Sequence, residues 1–192
     1  MTERRFRLSL LAAWMALVVV LASFLAPQSS AKRERSGRAE RFDKAEGARL
    51  LRRIGERRRE TWRWQALMGV RGTLASRSAE DSIVLAYRRW VLRVWTERAL
   101  EAKRLAHRPP HMKAWLCIHR YEGAWTDPNA PYYGGLQMDL GFQRAYGTEL
   151  LRRKGTADHW TPLEQIWVAE RAHRSGRGFY PWPNTARYCG LI

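Results

Sequence analysis

Cysteine is scarce in this chain of 192 residues, which holds two, Cys117 and Cys189. Neither has a histidine placed to activate it. His119 follows Cys117 by two residues and falls on the far side of a helix, which counts against a cysteine nucleophile. Histidine is sparse too, and no pair has the spacing of metal ligands. His107 and His111 are four apart, but Pro109 and Pro110 stand between them and prevent a shared helical face, while His159 and His173 are isolated. The sequence therefore implies no metal and no other cofactor. Acidic residues are also few, 18 against 35 Lys and Arg. The imbalance is local: residues 1–108 carry 25 basic against 11 acidic side chains, and residues 109–192 carry 10 against 7. That distribution argues against a nucleic-acid groove in the C-terminal part.

What is present begins with Arg4, Arg5 and Arg7 followed by an apolar run from Leu8 to Ala26, the pattern of an export segment. Ser29-Ser30-Ala31 offers a cleavage site after Ala31; the rival is an uncleaved anchor with the arginines in the cytoplasm. Both place the remainder outside the cytoplasm, secreted or membrane-anchored. In that compartment Cys117 and Cys189 suggest a disulfide, the rival being two buried thiols.

Residues 32–41, KRERSGRAER, read as a disordered basic linker. From Phe42 onward Leu50, Leu51, Ile54, Trp62 and Leu67 follow helical spacing. A second helix is expected from about Ser78, with Ile83, Tyr87, Trp90, Val94 and Leu105 on one face and Val84, Val91 and Trp95 widening it. Two such helices joined by about ten residues most simply form an antiparallel hairpin. Arginine and tryptophan interleave along it, which suits either packed tryptophans with a solvated basic face or contact with glycan, an anionic wall polymer or a membrane surface. Arg108-Pro109-Pro110 marks the boundary with the C-terminal domain, residues 109–192.

That domain is organised around WLCIHRYEGAWTDPNAPYYGGLQMD, Trp115 to Asp139. Trp115, Leu116, Ile118 and Tyr121 predict a short helix ended by Gly123, with Glu122 in its last turn. The negative end of the helix and flanking Trp115, Tyr121 and Trp125 would favour a protonated carboxyl, as a glycosidase acid requires. TDPNAP is turn chemistry, and YYGGLQ reads as a small β arm whose tyrosines and glutamine suit a polar ring. Asp139 invites a role as second carboxylate, but its place before LGFQRAYGTELL favours helix capping. Thr161-Pro162-Leu163-Glu164 is a capping box that starts a further helix, EQIWVAERAHR. The segment GRGFYPWP supplies Phe179, Tyr180 and Trp182 as a cleft wall or as packing.

Taken in order, the Glu, the small turn, Trp125, YYGGLQ, EQIWVAER and GRGFYPWP resemble the lysozyme-like catalytic domain of the resuscitation-promoting factors and related transglycosylase-like proteins of actinobacteria. The resemblance spans roughly Lys113 to Leu191. It implies a mainly α (α+β) lysozyme-like fold and a peptidoglycan-cleaving glycosidase acting between N-acetylmuramic acid and N-acetylglucosamine. Glu122 matches the single catalytic acid, while Trp125, Tyr133, Gln137 and Trp182 match groove positions. The chain departs from the family in three places: Cys117 lies five residues before Glu122 and not next to it, the turn after Glu122 is only Gly123-Ala124, and residues 147–160 are longer than usual. The rival readings are a wall-binding protein that does not cleave and a nucleic-acid binder supported by charge alone.

Overall fold

A computed structural model describes the backbone from Glu3 and the side chains from Lys32 to Ile192; the apolar run Leu8–Ala26 and the Ser29-Ser30-Ala31 site lie outside the described side chains. The architecture is mainly helical with one small antiparallel sheet. Among the described residues no helix is long and apolar enough to cross a membrane.

The first helix, α1, spans Glu3–Met68. Residues 32–41 belong to it and are not a disordered linker. Arginine, lysine, glutamate and alanine are strong helix formers, so a helix nucleated by the packed segment after Phe42 extends through them even though they bury almost nothing. A short helix, α2 (Ser78–Asp81), precedes α3 (Leu85–Ala106).

These elements do not form an antiparallel hairpin: α1 and α3 run parallel. Glu46 pairs with Arg89 at 2.7 Å, Gly47 faces Leu85 and Arg88, and the Trp64 ring lies 5.1 Å from His107. Both C-terminal ends thus lie together. Gly69, at φ 64°, ends α1, and residues 69–84 return along it. Twelve extended residues and the four of α2 can reach about 46 Å, more than the roughly 33 Å from Gly47 to Met68 along the helix. Side chains of α1 satisfy the returning backbone: Trp62 Nε1 donates to Thr73 O at 2.8 Å, Gln65 Oε1 accepts from Thr73 N at 2.9 Å, and an Arg58 nitrogen donates to Ser76 O at 2.8 Å. The seam of α3 differs from the expected face accordingly. Val91, Leu92 and Trp95 are buried with Leu50 and Ile54, and Ala99, Ala102 and Ala106 continue the close contact, whereas Ile83, Trp90 and Leu105 are exposed.

After Pro109-Pro110 come α4 (Met112–Glu122), the strands β1 (Tyr132–Tyr133) and β2 (Met138–Asp139), and α5 (Leu140–Lys154). A 3-10 turn, Ala157–His159, leads to α6 (Pro162–Ala172), a π turn at His173–Arg177, and α7 (Pro183–Tyr188). The sheet pairs Tyr132 with Asp139 and Tyr133 with Met138. Trp115, Ile118, Leu136, Met138, Trp160, Ile166 and Trp182 form the core beneath it. The Thr161–Glu164 capping box is formed, and Asp139 caps α5. Helix α5 kinks at Gly147, against which Trp160 packs so closely that a β-carbon there would lie 2.6 Å from the indole.

The helix pair docks on α6 through its carbonyl ends. Arg171 donates to the carbonyl oxygens of Ala66 and Leu67, Arg174 to that of Met68, and Trp167 Nε1 to that of Ala106 at 2.7 Å. These carbonyls lie in the last turns of α1 and α3, at the negative end of each helix, which accepts cations and N–H donors; that of Ala66 also accepts from Gly69 N.

Candidate functional site

Glu122 is the last residue of α4, and Gly123 follows it at φ 156°, a positive value that residues with side chains rarely adopt. The half-buried carboxyl receives one hydrogen bond, from Thr185 Oγ1 to Oε1 at 2.7 Å. Oε2 receives none from the described residues and is not sealed from solvent. No Lys, Arg or His nitrogen lies within 4.0 Å of the carboxyl among the described residues. A carboxylate with a purely structural role at a helix end commonly has a cation or a backbone N–H; this one has a hydroxyl on one oxygen and, among the described residues, no partner on the other.

The surroundings differ from the expected aromatic shield. Trp115 is fully buried, packs against Phe179 and Trp182, and points away into the core. Tyr121 is exposed and lies beside the equally exposed Tyr188 of α7, ring centres 5.7 Å apart. These two rings form an accessible aromatic surface where α7 meets the last turn of α4. Sequence reasoning missed Tyr188, because only the fold brings α7 against α4.

Gly123 is overlooked by the loop ahead of the β arm. A β-carbon on it would lie 3.2 Å from Gln137 Nε2 and 3.4 Å from Asp127 Oδ2. Gln137, in the left-handed region at φ 47°, donates to Asp127 Oδ2 at 2.8 Å and to Gly134 O at 3.0 Å. Asp127 Oδ1 accepts from Asn129 N at 3.1 Å. Asp127 was legible only as a turn former; it is in fact the carboxylate that stands over the turn after Glu122. Asp139, by contrast, is engaged elsewhere, accepting from Phe142 N at 2.7 Å.

Trp125 is half-buried and stacks on His119, with centres 3.9 Å apart and planes at 22°. Tyr133 is half-buried on β1. Trp182 is 5% exposed and donates from Nε1 to Leu136 O at 2.6 Å, so it supports the β arm from beneath and does not line a groove. Gln165, fully buried, is a second residue missed in the sequence. Its Nε2 donates to Trp125 O at 2.8 Å and its Oε1 accepts from Gly135 N at 2.9 Å, tying the loop after Glu122 to the glycine pair. The glycines permit this: a β-carbon on Gly134 would lie 2.6 Å from Gln165 Oε1, and one on Gly135 2.7 Å from the Trp125 ring.

Cys117 and Cys189 form a disulfide across 72 residues, joining the middle of α4 to the end of α7. The two helices that carry Glu122 and Thr185 are therefore covalently linked.

His173 is not isolated, as its sequence position implied. Its ring centre is 4.1 Å from that of His111, and both stand beside the buried Glu170. Its pKa is lowered, by burial first and by His111 second, against an opposing pull from Glu170. His107 lies apart, at Trp64.

Set against protein-family models, curated proteins and solved structures, the chain finds no match in any of the three.

Proposed function

We propose that residues 109–192 form a lysozyme-like unit that cleaves the glycan strands of peptidoglycan between N-acetylmuramic acid and N-acetylglucosamine, with Glu122 as the single acid. The observation that carries this reading is the asymmetry of that carboxyl: Oε1 is held by Thr185 at 2.7 Å while Oε2 has no hydrogen-bond partner among the described residues. A fixed carboxyl with one free oxygen can hand a proton to a glycosidic oxygen as the C1–O bond breaks. The resulting carboxylate then takes a proton either from the sugar's own hydroxyl, closing an anhydro ring, or from water. Asp139 caps a helix and Asp127 is bonded to Gln137 and Asn129, so neither is left as a ready nucleophile. That favours a one-acid route, a lytic transglycosylase with an anhydro product, over a muramidase that relies on a second carboxylate.

Tyr121 and Tyr188 offer exposed ring faces for sugars at the end of α4 that carries the acid, and Trp125, Tyr133 and Gln137 shape the opposite side. The basic helix pair would hold the enzyme against an anionic wall polymer or membrane surface, since Arg52, Arg53, Arg59 and Arg63 are exposed along α1.

A second reading has its own support. The Gln137–Asp127 pair crowds Gly123, which favours a unit that binds glycan without cutting it. Digestion of purified peptidoglycan separates the two: the first requires soluble fragments from the native chain and none from Glu122→Gln, the second requires binding by both and fragments from neither.

A further inference from the structure

The cluster formed by His111, Glu170 and His173 takes no part in the chemistry proposed at Glu122. His111 immediately precedes α4, Glu170 is in the last turn of α6, and His173 opens the π turn. Glu170 and His173 form a Glu-x-x-His pair, three apart on one helical face, a spacing used to present two metal ligands together. His111 is brought to them across 59 residues of sequence.

Glu170 is fully buried, and its two oxygens are used differently. Oε1 accepts from His111 N at 2.8 Å and from Trp115 Nε1 at 2.9 Å, which fixes the carboxyl. Oε2 has one hydrogen-bond partner among the described residues, His111 Nδ1, at 3.1 Å. No Lys or Arg nitrogen lies within 4.0 Å of this carboxyl among the described residues. A buried carboxylate without a permanent cation is costly, and an ion would supply the missing charge. The ring nitrogens of His173 hold no hydrogen bond among the described residues, and one donor atom from each of the three residues lies within 4.8 Å of the others.

We propose that His111, Glu170 and His173 bind one divalent transition-metal ion of the zinc type. Imidazole nitrogen and carboxylate oxygen are the donors such ions take at about 2.0–2.2 Å, which places neighbouring donors about 3–3.5 Å apart. The 3.1 Å between Nδ1 and Oε2 already has that value, and the third donor, on His173, starts within 4.8 Å of the other two. The ion replaces the hydrogen that His111 Nδ1 now shares with Oε2; that proton moves to Nε2 or leaves to solvent. Trp115 Nε1 acts as the outer partner that orients the ligating carboxyl. Three protein ligands leave a fourth position for water, since His111 and His173 are both partly exposed. The consequence is structural: the ion ties the start of α4, which carries Glu122 at its other end, to α6.

The test is zinc titration of the untagged, chelator-stripped full chain by calorimetry, repeated in two buffers of different ionisation enthalpy to count protons, with thermal unfolding alongside. The native chain is expected to bind one equivalent and to melt at a higher temperature with zinc. His173→Ala, on a half-exposed turn, and His111→Ala should each lose more than the roughly 10- to 100-fold that loss of an outer partner costs. His159→Ala should bind as the native chain does. Absence of saturable binding, or binding by His173→Ala and His111→Ala equal to the native, overturns the proposal. Because the readout is metal affinity, failure here is separate from failure of the glycosidase reading.

Discussion

Thr185 Oγ1 donates a hydrogen bond to Glu122 Oε1 across two helices that the Cys117–Cys189 disulfide joins. The acid at the end of α4 is thereby oriented by a residue 63 positions away, and the covalent link fixes the distance between their helices. Orientation of a single acid is what a one-carboxyl mechanism depends on, because no second group corrects a misplaced proton.

Replacing the hydroxyl tests this first. The bond strengthens as charge develops on the carboxyl during proton transfer, from about 0.5–1.5 to about 1.5–3 kcal/mol, so Thr185→Val should lower turnover about 10-fold. Thermal unfolding of the variant should stay close to that of the native chain, since valine keeps the shape of this buried side chain. Equal loss of turnover and of folded protein would make Thr185 merely structural.

Reduction of the disulfide should be expensive. Closing a loop of this length stabilises by about 4 kcal/mol on chain-entropy arithmetic, and Cys117→Ser with Cys189→Ser should lose a comparable amount in denaturant unfolding. Unchanged midpoints with and without reductant would contradict it.

The docking of the helix pair rests on few bonds. Trp167→Phe leaves the carbonyl of the buried Ala106 without its donor, at a cost of about 1–3 kcal/mol. Hydrogen exchange should quicken at the ends of α1 and α3 and leave the amides of α4 unchanged.

Acid should weaken the start of α6 in a defined direction. Burial alone would raise the pKa of Glu164, but hydrogen bonds from Lys154 and from the Thr161 N–H and hydroxyl outweigh it and the pKa is lowered. A lowered folded-state pKa contributes stability that is present above the ordinary glutamate value of about 4.3 and is lost as pH falls through the lowered value. The stability difference between the native chain and Glu164→Gln should therefore shrink on going from pH 7 to pH 3. A constant difference would contradict this assignment.

Features of short range could be read from the chain: Glu122 before its terminating Gly123, the β arm of YYGGLQ, the Thr161 capping box and the cap at Asp139 all depend on neighbours within a few residues. Features set by long-range partners could not. The parallel course of α1 and α3 depends on Trp62, Gln65 and Arg58 holding a return path that composition alone shows only as a loop. Trp182 reads as a groove residue until Leu136 O is seen to accept its N–H. Asp127 comes to Gly123, and Tyr188 to Tyr121, only through the folded loop and α7, and Lys32–Arg41 reads as disordered because charge hides a strong helical preference.

The central claim is that Glu122 cuts glycan as a single acid, and mass analysis of the fragments released from purified peptidoglycan tests it most directly. The native chain should release fragments ending in an anhydro sugar, and Glu122→Gln should release none. Fragments in equal yield from Glu122→Gln, or none from the native chain while it binds the polymer, would contradict it.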